Sequence, residues 1–137
     1  MAVLVDTSVL YALARREDPS HETCEAAIAA EREAITVPAH LLCEIAYLTN
    51  VRIGGRAERT FLRSLFESDW AIEPMSRADL GRALDLLEQY ATADIGYVDA
   101  ATVAIAERLD IKRIYTLDRR DFALVRPAHV PAFELLP

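Results

Sequence analysis

Short continuous apolar runs alternate with longer stretches of helical periodicity along most of this chain. Ala2-Val3-Leu4-Val5, closed by Asp6, reads as a strand buried on both faces. Val9, Leu10 and Leu13 recur at helical spacing within Thr7 to Ala14. Asp18-Pro19-Ser20 breaks the chain, and Ser20 is placed to cap a helix from His21 to about Arg32. Ala34-Ile35-Thr36-Val37 is a short strand. Pro38 suits the first turn of the next helix, which carries Glu44 about two turns in and ends at Gly54-Gly55. Glu58 to Phe66 repeats the helical pattern, with Phe61, Leu62, Leu65 and Phe66 on one stripe.

Trp70-Ala71-Ile72 predicts a third strand. Ser76 and Asp79 form a capping-box-like start for a helix to about Tyr90, although that box prefers Glu or Gln where Asp79 stands. A loop from Thr92 to Gly96 leads to the helix of Asp99. Lys112 to Leu117 predicts a fourth strand, Asp121-Phe122 a short turn, and Pro131 to Leu135 an edge strand that tolerates proline. There is no internal repeat, linker or low-complexity tract. The alternation predicts an α/β fold with a mostly parallel sheet and helices on both faces. Such sheets bind ligands beyond the carboxyl ends of their strands.

Composition narrows the class. A chain of 137 residues with 53% hydrophobic content is expected to form one domain over residues 1–137, with no need of disulfides. No apolar run approaches the ~18 residues of a membrane span, and Asp6 arrives too early for a secretory signal. The expected location is the cytosol. The net charge of −7 argues against a nucleic-acid partner on its face. Setting aside Asp6, Glu44, Asp99 and Asp118 leaves −3, and all the basic residues but Lys112 are arginines, whose planar fork suits phosphate oxygens. A compositional bias toward Arg and Ala accounts for part of this. His21-x-x-Cys24 and His40-x-x-Cys43 repeat one spacing that could offer zinc ligands. Two small buried thiols, reduced in the cytosol, and two surface imidazoles is the simpler expectation.

Four acids interrupt or end apolar stretches. Asp6 closes the first strand, Glu44 lies between Leu42-Cys43 and Ile45-Ala46, Asp99 follows Val98, and Asp118 ends Ile114 to Leu117. Each has an ordinary explanation. Asp6 suits a helix cap, Asp99 a helix dipole, Asp118 a turn, and Glu44 an arginine partner or a boundary. Asp6 and Asp118 both fall at carboxyl ends of strands, which places them on one edge of a parallel sheet. If all four converge, they repel strongly: two unit charges ~4 Å apart cost about 4 kcal/mol at an effective dielectric near 20. A hard divalent cation removes that conflict, and oxygen-only ligands favour Mg²⁺ or Mn²⁺ over zinc. That is equipment for phosphodiester hydrolysis.

Leu4-Val5-Asp6-Thr7-Ser8-Val9-Leu10, Glu44, Gly96-Tyr97-Val98-Asp99-Ala100-Ala101 and Thr116-Leu117-Asp118-Arg119-Arg120-Asp121-Phe122 together resemble the PIN-domain ribonucleases, and among them the VapC-like toxins of type II toxin–antitoxin pairs. The resemblance runs over the whole chain. It implies a three-layer α/β/α sandwich and Mg²⁺- or Mn²⁺-dependent RNA cleavage. It also implies roles: Asp6 and Asp99 as metal ligands, Glu44 on the attacking water, and Asp118 in support of a second ion or the water network. Asp121 matches an additional acid, Ser8 or Thr116 would orient a carboxylate, and Asp94 is left aside. It further implies a homodimer silenced by a cognate antitoxin, with the Phe61–Phe66 stripe serving either that interface or the core.

Three rivals stand beside it. A haloacid-dehalogenase-type aspartate phosphatase needs an acid where Ser8 stands. A receiver domain needs a lysine at the end of a late strand, whereas Lys112 begins one. A binding module of the same fold without activity is compatible with the pattern but leaves the acidic set without a purpose.

Overall fold

The computed structural model describes residues 1–137. Five strands form one sheet in the order β3-β2-β1-β4-β5, every neighbouring pair parallel. The strands are β1 (Ala2–Val5), β2 (Ala34–Pro38), β3 (Ala71–Glu73), β4 (Arg113–Tyr115) and β5 (Glu134–Leu136). Seven helices connect them: α1 (Thr7–Ala14), α2 (His21–Ala30), α3 (Leu41–Arg52), α4 (Gly55–Glu67), α5 (Arg77–Gln89), α6 (Tyr97–Arg108) and α7 (Arg120–Leu124). A single 3-10 turn spans Ala91–Ala93.

The period of two along β1 builds the layers. Val3 and Val5 enter a core of 11 buried residues with Val9, Leu10, Leu41 and Ile45 of α1 and α3. Leu4 points the other way, into a core of 13 with Leu86, Val103 and Phe122 of α5, α6 and α7. Ile114 and Tyr115 of β4 divide in the same manner. Helices therefore cover both faces of the sheet, as the three-layer expectation requires. Strands buried on both sides have no polar face, which is why β1 reads as an unbroken apolar run. In α6 every residue from Ala100 to Ala106 is buried. Four alanines in that run let α6 pack closely between the sheet and α5.

The Ser76–Asp79 capping box is present, the Ser76 hydroxyl accepting from the Asp79 amide at 3.0 Å and the Asp79 carboxylate from the Ser76 amide at 2.9 Å. The shorter Asp serves here because its carboxylate is also held by Arg108, whose Nη2 donates at 2.9 Å.

Several boundaries differ from the expectation. Pro38 ends β2 instead of opening a helix, and α3 begins at Leu41. Glu44 thus lies in the first turn of α3, not two turns in. Ser20 makes no side-chain cap; Asp18 organises the entry to α2, its Oδ1 accepting from the Ser20 amide at 2.8 Å. Asp121 and Phe122 belong to a short helix rather than a turn. Along α4 only Leu65 is buried, and Phe66 is 84% exposed. Cys24 is buried but Cys43 is exposed, and His40 is half-buried rather than on the surface. No helix is long and apolar enough to cross a membrane.

Candidate active site

In a parallel sheet, strand carboxyl ends and the amino ends of the following helices share one edge. Asp6 follows β1, and its amide donates to the Tyr115 carbonyl at 2.9 Å, which fixes it beside the end of β4. Glu44 and Asp99 lie in the first turns of α3 and α6. Asp118 follows β4, and Asp121 lies in the first turn of α7. The shortening of α3 removes the depth mismatch that a start at Pro38 would create. All five acids line one open cleft of about 650 Å³, as does Asp18.

Asp6 holds the N-cap position of α1, but its carboxylate does not do the capping. Its side chain makes no capping bond, while its carbonyl accepts the Val9 and Leu10 amides at 3.1 Å each. The carboxylate instead accepts at Oδ2 from Ser8 Oγ, 3.2 Å, and Thr116 Oγ1, 3.0 Å. Each hydroxyl is itself oriented by a backbone amide: Leu117 donates to Ser8 Oγ at 2.9 Å, and Asp118 to Thr116 Oγ1 at 3.1 Å. Both supporting residues expected from the sequence are therefore in contact with Asp6. Burial pushes the Asp6 carboxyl above its ordinary range, against the lowering effect of these hydrogen bonds, and the charge of Glu44 adds to the rise.

Asp99 is the most perturbed member. Its carboxyl is pushed up to about 8, first by burial, then by a hydrogen bond shared with the Asp121 carboxyl and the charges of Asp6, Asp121 and Asp118. A first-turn acid that merely complemented the helix dipole would be shifted the other way. Asp121 is 9% exposed and pairs with Arg120 Nη1 at 2.8 Å. Asp121 thus shares in the cluster and does more than shape a loop. Glu44 is half-buried and forms no salt bridge with any arginine. Asp94 is exposed, adopts a left-handed conformation at φ 55°, and lies outside the cleft.

The cleft brings six carboxylates together with one basic side chain, Arg52. The sequence groups Arg52 with Arg56, Arg59 and Arg63 in a basic segment suited to phosphate but does not place it in the site, and it marks neither Tyr11 nor Asp18 as a site residue. A signal existed for Arg52: Glu44, Leu48 and Arg52 recur every fourth residue on α3, and all three line the cleft.

The donors fit a hard cation. No histidine or cysteine lines the cleft. His40 Nε2 is turned to the Val98 carbonyl at 3.1 Å, and His21 Nδ1 bonds the Ala12 carbonyl at 2.7 Å, so the two His-x-x-Cys pairs form no zinc site. The Thr7 hydroxyl, also in the cleft, is buried without a partner. No three carboxylates close into a finished coordination sphere. An ion that keeps several waters needs only one or two direct carboxylates.

Known proteins resemble the chain in both sequence and fold. The PIN domain family model matches residues 3–126. Ribonuclease VapC26 of Mycobacterium tuberculosis is 32% identical over 135 residues, covering 98% of this chain and all of that one. The crystal structure of VapC20 from the same organism, a sarcin–ricin loop cleaving toxin, superimposes with a TM-score of 0.83 at 24% identity, over 93% of this chain and 98% of the other. VapBC2 of Rickettsia felis, solved bound to a DNA fragment from its promoter, gives 0.71 at 16% identity, over 98% and 97%. At those identities the two structures speak for the fold alone. With the family match, the near full-length relative and this sheet-edge cluster of acids, the chain belongs to the PIN-domain family, in its VapC-like branch.

Proposed function

We propose that this chain is an endoribonuclease that uses Mg²⁺ or Mn²⁺ and acts as the toxin of a type II toxin–antitoxin pair. The observation that carries this reading is the gathering of five acids, from three helices and the ends of two strands, onto one cleft, where burial first and the neighbouring acids next push the Asp99 carboxyl up to about 8. Stability alone does not select such a cluster, because each added carboxylate raises the cost of ionising the others.

In this reading Asp6 and Asp99 hold the cation. Ser8 and Thr116 fix Asp6 through Oδ2 and leave Oδ1 without a side-chain partner. When bound, the cation supplies positive charge against the phosphodiester oxygens and lowers the pKa of water. Glu44, which lines the same cleft, would orient the attacking water and take its proton. Asp118, exposed and without a side-chain partner, supports the water network or a second ion. Asp121, hydrogen-bonded to the Asp99 carboxyl, would hold that ligand in position beside the cation. The VapC-like relatives support RNA as the substrate and a small antitoxin as the partner. Exposed Tyr47, Val51, Phe66, Leu80 and Leu84 offer apolar surface for an antitoxin and for a second copy of the chain in a cytosolic homodimer.

Induced expression of the chain alone is expected to stop growth and to leave discrete cuts in total cellular RNA. Co-expression with the product of a neighbouring small reading frame is expected to relieve both effects. Unimpaired growth with intact RNA, at protein levels confirmed by blotting, would remove the toxin assignment.

A further inference from the structure

Arg52 is the one cation in a cleft of six carboxylates, yet it pairs with none of them. The arginines that do form ion pairs are Arg63, Arg82, Arg108, Arg113 and Arg120. Arg52 instead lies over the ring of Tyr11, its guanidinium carbon 5.4 Å from the ring centroid. Tyr11 comes from α1, one turn beyond Ser8, and Arg52 from the last turn of α3, two turns beyond Glu44. A cation in that last turn favours the helix dipole wherever its side chain points. The dipole therefore does not explain why the side chain is directed into the cleft and stacked there.

Stacking on a ring has a chemical consequence. It restrains a long, mobile side chain while leaving the guanidinium N–H fork free for an anion. An ordered fork loses less entropy when it binds. The adjoining groove along α1, α2 and α4 balances Arg15, Arg16 and Arg56 against Glu17, Glu22 and Glu25. Arg52 is thus an unpaired cation beside the acidic cluster, and it has a face and an edge to offer a nucleotide.

We infer that Arg52 binds a backbone phosphate of the RNA next to the scissile one, and that Tyr11 is the positioning residue that holds it ready. This rests on the ribonuclease reading above. The contact is to substrate and takes no part in bond making, so it should appear in KM.

The test uses the purified chain, a short labelled RNA that it cuts, and steady-state rates in Mg²⁺. Arg52→Ala should raise KM about tenfold, the scale of one charge-assisted hydrogen bond, with kcat within about twofold. Arg52→Lys keeps the charge but loses the planar fork and should recover only part of KM. Tyr11→Leu should raise KM less than Arg52→Ala, and the double variant should add little to Arg52→Ala alone, because Tyr11 acts through Arg52. Tyr11→Phe retains the ring and should match wild type. In binding assays without turnover, the salt slope of Arg52→Ala should fall by about one phosphate's worth. Both positions are at least partly exposed, and thermal unfolding of each variant checks that the fold is kept. A wild-type KM in Arg52→Ala overturns the proposal while leaving the ribonuclease reading intact. A wild-type chain that cuts no RNA under any divalent cation overturns that reading, and this proposal with it. If Arg52 only neutralised the acids, Arg52→Ala would change the Mg²⁺ concentration dependence and leave KM for RNA alone, which also overturns the proposal.

Discussion

Asp99→Asn is expected to abolish RNA cleavage and, in metal-free buffer at pH 8, to make the protein more stable than wild type. The first half follows from the proposed ligand role. Residues that merely support a ligand cost ~10–100-fold when removed, and a direct ligand should cost more. The second half follows from the raised Asp99 carboxyl. Its folded pKa near 8 exceeds its ordinary value of 3.8, so the folded chain keeps a proton that the unfolded chain has released. Stability carried by that proton is complete below about pH 4 and is lost as pH rises through about 8.

Other groups titrate outside the upper part of this window. Glu31, lowered to about 2 by the Glu33 amide and the Tyr115 hydroxyl, finishes its contribution at acid pH. His40, lowered chiefly by burial, adds stability with rising pH only up to its ordinary value of 6.5. Asp6 shifts in the same direction as Asp99. Between about pH 7 and 8, metal-free wild type should therefore lose stability with rising pH. Asparagine has the neutral, hydrogen-bonding form of protonated Asp99 and cannot ionise, so the slope should shrink. Mg²⁺ at about ten times its dissociation constant should restore about 1.4 kcal/mol to wild type. For a chain of this size that is roughly 4 °C in melting temperature. Melting curves at pH 7 and 8, in EDTA and in Mg²⁺, decide the matter. An Asp99→Asn variant that melts below wild type in EDTA at pH 8 would contradict the account of a frustrated acid cluster.

Phe122→Ala is expected to act in the opposite sense and to damage both fold and site. Phe122 is 1% exposed and meets Phe133 edge to face, with centroids 6.4 Å apart. It anchors the five-residue α7 to the second core, and α7 is too short to hold its shape unaided. Removing a buried phenyl ring costs about 3–5 kcal/mol, a large part of the ~5–15 kcal/mol that holds a domain together. The melting temperature should fall by roughly 10–20 °C. Asp121 precedes Phe122 directly, so its carboxylate should lose its place beside Asp99. Cleavage measured well below the new melting point should drop as well. Wild-type cleavage there would show that Asp121 needs no fixed position. A melting temperature within a few degrees of wild type would show that α7 is held by something other than this ring.

The fold was largely legible because the sheet is buried on both faces. Runs such as Val3-Leu4-Val5 have few alternative homes, and α6, buried along Ala100 to Ala106, announces itself by small apolar residues. What was misread depends on contacts distant in sequence or on local geometry. Pro38 suits a first helical turn equally well as a strand end, and its pairing with Glu73 on β3 decides for the strand. Asp121 reads as a turn residue because five residues make a weak periodic signal, while the Phe122 anchor lies across the fold in Phe133. Ser20 is a good cap by type and does hold the N-cap position, but its hydroxyl accepts no helix amide, and the turn before α2 is organised by Asp18, which accepts from the Ser20 amide.

The site divided along similar lines. Asp6, Glu44, Asp99 and Asp118 stand out because carboxylates beside apolar runs are costly, and all four line the cleft. The bonds from Ser8 and Thr116 to Asp6 close a gap of 108 residues between those two hydroxyls, which only the β1–β4 pairing explains. Arg52 and Tyr11 are exposed or half-exposed polar and aromatic residues of ordinary type. Only their stacking at the cleft wall gives them meaning.

The most direct test of the central proposal, that these acids form a cation-dependent RNA-cleaving cleft, is cleavage of total RNA by the purified chain. It would be measured after exhaustive EDTA treatment and again after adding back Mg²⁺ or Mn²⁺. The account predicts no cleavage in EDTA, recovery at millimolar cation, and no recovery in Asp99→Asn. Undiminished cleavage in EDTA, or equal recovery in Asp99→Asn, would contradict it.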